Sequence, residues 1–215
     1  WSGRMEMPGF INYRHYTNHL LVGVISLFGS QAVFEKTVFG NETAIIVDAA
    51  DVADHIQALA ADAFEGREGG RRGGRAASRY IEQEVMPLGL MPAGDGKSYF
   101  QSFPTRFGTL RNLLIIIPGS DSVLQSEVVV VGAHYDHVGY GNKRNSFGPF
   151  GYVHNGADDN ASGVAGLIKI AETLAELSDP CRRTILLAFW DGEEQGLLGS
   201  KYFLQNHPDC IQDKK

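Results

Sequence analysis

Three short polar clusters carry residue types that bind divalent metal ions: His134-Tyr135-Asp136, Asp158-Asp159-Asn160 and Asp191-Gly192-Glu193-Glu194. An imidazole with several carboxylates is the ligand set that suits zinc and similar ions. His134 and Asp136 stand two apart, so on extended chain they share a face. There Asp136 can orient the imidazole by accepting its second N–H. Asp158 to Asn160 precede a helical pattern, and the unpaired N–H groups of a helix start favour a carboxylate. Glu193 and Glu194 are neighbours and point apart. One can bind metal while the other acts as general base on an activated water, the pairing that metal-assisted hydrolysis uses. Taken singly, each cluster reads as structural: a hydrogen-bonded histidine, an N-cap and a dipole-favoured acid pair.

The elements around the clusters give them a common address. Val128-Val129-Val130-Val131 is a β-branched run without alternation, which predicts a central strand buried on both faces just before His134. Thr184 to Phe189 predicts a second buried strand just before Asp191. Val164, Leu167, Ile168, Ala171 and Leu174 recur at helical spacing and predict a helix over 162–177, after the aspartates. Further helices are expected over 51–64, 76–86 and 196–205, with strands over 99–104 and 110–117. The glycine-rich stretches 66–74 and 139–156 read as loops. Strand and helix alternate, so the fold class is α/β. In open α/β sheets, ligands bind outside the carboxyl ends of the strands, where these clusters would converge.

Composition narrows the field. The chain has 215 residues, 43% of them hydrophobic, and a formal charge of −6. That acidic balance argues against a nucleic-acid binder, and Arg67, Arg71, Arg72 and Arg75 read as a solvated loop and helix start. Arg4 and Arg14 precede the apolar run Leu20 to Phe28, followed by Gly29-Ser30-Gln31-Ala32. The run is too short to span a bilayer but fits a signal peptide or leader over residues 1–34. Export to a secreted or periplasmic location is expected, with no stable membrane insertion after signal removal. Cys181 and Cys210 permit one disulfide. The remaining histidines read as structural, with His137 and His154 near enough in sequence to line the site.

The motifs Val129-Val130-Val131-Gly132-Ala133-His134-Tyr135-Asp136, Asn155-Gly156-Ala157-Asp158-Asp159-Asn160-Ala161-Ser162-Gly163 and Phe189-Trp190-Asp191-Gly192-Glu193-Glu194-Gln195-Gly196 resemble those of the co-catalytic zinc exopeptidases. That family includes bacterial leucyl aminopeptidases, aminopeptidases S and Y, glutamate carboxypeptidase II and glutaminyl cyclase. The resemblance covers roughly residues 52–207. It implies a mixed, largely parallel central sheet flanked by helices, with the catalytic domain's amino-terminal portion over residues 48–215. It assigns His134, Asp159 and Glu194 as metal ligands, with Asp159 bridging. Glu193 becomes the general base, and Asp136 the partner of His134.

The same resemblance implies two zinc ions per complete catalytic domain. Two further ligands, an aspartate and a histidine, are expected beyond Lys215, so the sequence reads as an incomplete part of such a domain. The expected reaction is hydrolysis of the first peptide bond of peptides or proteins with a free amino terminus. Carboxypeptidase and glutaminyl cyclase chemistry, or a non-catalytic binding protein of this fold, remain the alternatives.

Overall fold

The computed structural model describes residues 47–206, together with the backbone of two short strands, Val24–Ser26 (β1) and Val33–Glu35 (β2), which pair antiparallel. The leader expected over residues 1–34 lies otherwise outside the described residues, as does Cys210. No described helix is long and apolar enough to cross a membrane.

Helix α1 spans Ala49–Leu59 and opens with Asp48 accepting the N–H of Ala50. It stops five residues short of the helix that the periodicity predicts. The carbonyls at its end find other partners: Leu59 accepts from the Arg67 guanidinium, and Ala60 from the Asn155 side-chain amide. Those bonds do the work of a cap and release the chain into a 3-10 turn, Asp62–Arg67. Helix α2 (Arg72–Val85) begins earlier than expected, inside the glycine-rich stretch read as loop. Gly73 and Gly74 lie against the backbone carbonyls of Phe64, Arg67 and Glu68, where a Cβ has no room. These glycines serve close approach and leave helical geometry intact.

The main sheet has strands β3 (Met91–Pro92), β4 (Phe100–Thr105), β5 (Gly108–Ile117), β6 (Val128–His134) and β7 (Thr184–Trp190). Their order is β3-β5-β7-β6, with β4 also on β5. The sheet is mixed and flanked by helices, as expected. Its balance differs from the expectation: β6 and β7 run parallel, while β5 pairs antiparallel with β3, β4 and β7.

Period-two alternation splits the core between two faces. Leu113, Ile115, Leu187 and Phe189 meet α1, α2 and α3 (Ser162–Ala175) through Leu59, Ile81, Val164 and Ile168. On the other face Leu114, Ile116, Leu186 and Ala188 meet Phe203 of α4 (Leu198–Gln205). Each buried Leu, Ile, Val or Phe among them contributes about 1.5–3 kcal/mol. Among the described strands the outermost, β6, departs from its sequence reading: Val129 and Val130 are 44% and 48% exposed.

Candidate metal centre

The parallel register of β6 and β7 sets His134 opposite Trp190, so both strands deliver their polar clusters to one end of the sheet. The ladder continues one step further, with the Tyr135 N–H donating to the Trp190 carbonyl at 2.9 Å. Asp136, fully buried, then closes the gap between the strand ends. Its two oxygens accept the backbone N–H groups of Glu193 (3.0 Å) and Glu194 (3.2 Å).

This arrangement adds to the part expected of Asp136 as partner of His134. Its carboxylate holds the glutamate turn, and Nδ1 of His134 lies 3.7 Å from it. The closer partner of that nitrogen is the Asp136 main-chain carbonyl, at 3.2 Å. A carbonyl only accepts, so Nδ1 carries a proton and Nε2 is turned the other way. That Nε2 points to Asp159 Oδ1, 3.1 Å away.

Asp159 sits in the irregular turn Ala157–Ala161 ahead of α3. The helix start is capped by Asn160, whose Oδ1 accepts the N–H of Gly163. Neither aspartate serves as cap. The Asp159 side chain is 63% exposed and free to face the site. Asp158 lies exposed beside it, its carbonyl accepting from Ser162.

His137 joins the cluster from the loop after β6. Its Nδ1 meets Glu194 Oε1 at 2.7 Å, and one donor atom each from His137, Asp159 and Glu194 fall within 4.8 Å of one another. Asp159 therefore lies close both to His134 and to the His137–Glu194 pair. Two imidazoles and neighbouring carboxylates at this spacing fit zinc. A cavity of about 260 Å³ opens beside them, lined by His134, Asn160, Trp190, Glu193, Leu197 and Ser200.

The electrostatics follow from this crowding. Burial pulls His134 down, but the Asp136 carboxylate, with Glu193 and Asp159 adding charge, carries it up to about 8. Burial raises Glu193 above the usual carboxylate range, against the opposing pull of His134. The His137 hydrogen bond lowers Glu194. Two adjacent glutamates are thus driven in opposite directions.

All five residues singled out by sequence, His134, Asp136, Asp159, Glu193 and Glu194, meet here. His154 does not: its Nε2 lies 2.8 Å from the Pro149 carbonyl within the glycine-rich loop. The basic cluster also divides. Arg72 pairs with Glu65 and Arg75 bonds the Gly70 carbonyl, both exposed, whereas Arg67 is wholly buried behind the site. Sequence reasoning missed Arg67, and it placed His137 among the structural histidines.

The model of peptidase family M28 matches residues 112–215, the stretch that holds all three clusters. That stretch is therefore similar to peptidase family M28, and the similarity to known proteins extends beyond it. Leucine aminopeptidase 1 of Pyrenophora teres f. teres is 26% identical over 95% of this chain and 52% of its own length. A zinc-dependent exopeptidase structure from Parabacteroides distasonis has the same fold, with TM-score 0.53 and 24% identity over 74% of this chain and 54% of that one. So does Porphyromonas gingivalis glutaminyl cyclase, with TM-score 0.57 and 22% identity over 74% and 55%. The chain spans about a third to a half of the length of the first curated relatives it matches.

Proposed function

We propose that this chain carries a zinc site of an aminopeptidase, a hydrolase that removes the first residue of peptides. The observation that carries the reading is the position of Asp159, close both to His134, at 3.1 Å, and to the His137–Glu194 pair. Bound zinc would act as a Lewis acid on the peptide carbonyl and lower the pKa of a water towards about 7. His134, Asp159 and Glu194 would hold it, with His137 as a further candidate, and the position of Asp159 suits sharing between two ions.

Glu193 is the proton carrier. Its raised pKa suits a group that must accept a proton from the attacking water and return it to the departing amine. The bond from the Glu193 N–H to Asp136 fixes the backbone from which that carboxylate reaches the reacting atoms. Asp136 acts only by positioning. The similarity to leucine aminopeptidase 1 favours an amino-terminal peptide bond as substrate.

The test is an assay of the purified native protein on aminoacyl-p-nitroanilides, before and after chelation and with zinc restored. Release of p-nitroaniline that disappears on chelation and returns with zinc supports the proposal. Cyclisation of amino-terminal glutamine without release of residues would replace it with the cyclase reading.

A further inference from the structure

Arg67 has no exposed surface, yet it lies among main-chain atoms rather than opposite a single carboxylate. Its Nε donates to the Tyr135 carbonyl at 2.9 Å, between His134 and Asp136. One terminal nitrogen donates to Leu59 (2.7 Å) and Asn155 (2.6 Å), and the other to Gly156 (2.7 Å), three residues before Asp159. The Arg67 carbonyl in turn accepts the N–H of His137 at 3.1 Å, and the Gly66 carbonyl accepts that of Gly139 at 2.9 Å. One short segment thus touches both loops that carry the candidate ligands.

We infer that Arg67 is a positioning residue whose buried guanidinium fixes the spacing between the His134–His137 loop and the Asn155–Asp159 loop. The inference rests on the zinc-site reading for its purpose and on the hydrogen bonds for its substance. The planar fork matters: four bonds leave one guanidinium in directions that an ammonium on a flexible stem cannot reproduce. Charge matters as well. A buried cation is costly unless paired, and here the negative potential of Asp136, Asp159 and Glu194 offsets its desolvation. Reciprocally, the guanidinium relieves repulsion among those carboxylates while no metal is bound. Burial lowers Arg67 only to about 10, so it stays charged at neutral pH.

The test compares native protein with Arg67→Lys and Arg67→Ala, with Arg72→Ala as an exposed control. Zinc affinity is measured by competition with a chromophoric chelator. Arg67→Lys should weaken zinc binding about 10–100-fold and lower kcat with little change in KM. Arg67→Ala should lose more and regain zinc affinity when millimolar guanidinium is supplied, while Arg72→Ala behaves as wild type. Hydrogen exchange on zinc-free protein provides an arm independent of metal: peptides covering 134–139 and 154–161 should both exchange faster in Arg67→Lys. Unchanged exchange in either loop overturns the inference, even if Arg67→Ala fails to fold. So does wild-type zinc affinity in Arg67→Lys, or a loss in Arg67→Ala that guanidinium leaves untouched. A wild-type protein that binds no zinc would sink the metallopeptidase reading, and the exchange arm would still decide the role of Arg67.

Discussion

Nδ1 of His137 stands 2.7 Å from Oε1 of Glu194, joining the loop after β6 to the turn after β7. The bond lowers the pKa of Glu194 and so favours its ionised form, the form that binds a metal ion. His137 therefore supports the site either by coordinating directly or by aiming Glu194. In both cases His137→Ala should weaken zinc binding about 10–100-fold. Isothermal titration with zinc checks this, and wild-type affinity in the variant would remove His137 from the site.

Glu193 makes a separable prediction. Its backbone is held by Asp136, so Glu193→Gln keeps the turn while removing the proton acceptor. The expected loss in kcat is about 10²–10⁴-fold, with zinc affinity preserved. A variant that lost zinc as completely as activity would make Glu193 a ligand instead.

Asp191 supplies a pH dependence. Only 3% exposed, it is pushed by burial from the ordinary 3.8 to about 7, with the Asp136 charge adding to the rise. Between about pH 4 and 7 the folded chain keeps this proton and the unfolded chain has lost it. By linkage, its contribution to stability falls as pH rises through that window and is level above it. At about 1.36 kcal/mol per pKa unit, the span bounds the effect at about 4 kcal/mol. Oδ1 of Asp191 and Oε1 of Gln195 both lack a donor, and an amide at position 191 would supply one. Urea unfolding of zinc-free protein at pH 5 and pH 8 should show a smaller loss for Asp191→Asn than for wild type. Equal losses would mean that Asp191 ionises normally in the fold.

Two helical glycines should respond to alanine with opposite signs. At Gly166 in α3 a methyl group would enter open space, with nothing within 4 Å, so Gly166→Ala should stabilise by about 0.5–1 kcal/mol through helix propensity. At Gly73 in α2 the new methyl would collide with the Phe64 carbonyl, and Gly73→Ala should destabilise despite the same propensity gain. Thermal melts of the two variants check the pair. A stabilised Gly73→Ala would mean that α2 is not pressed against that backbone.

The convergence of His134, Asp159 and Glu193-Glu194 was legible because two apolar runs and one helical stripe mark where their elements end. Arg67 was not legible in the same way. Three of its four partners are main-chain carbonyls 68, 88 and 89 residues away, and a backbone carbonyl leaves no trace in residue type. His137 escaped for a related reason: its pairing with Glu194 depends on the route of the loop after β6, which no periodicity encodes. β3 has two residues, too few for alternation to register. The early start of α2 was hidden because glycine signals a loop and a tight helix contact alike.

Val129 and Val130 lie exposed on β6, which has β7 on one side and no partner among the described strands on the other. An exposed, β-branched, uncharged edge is a template for further strands, whether from another part of the same polypeptide or from a neighbouring molecule. Solubility of the isolated chain should thus be governed by this edge more than by the acidic surface. A lysine at position 130 would act as a gatekeeper against edge-to-edge stacking while leaving the end of the strand, and His134 with it, in place.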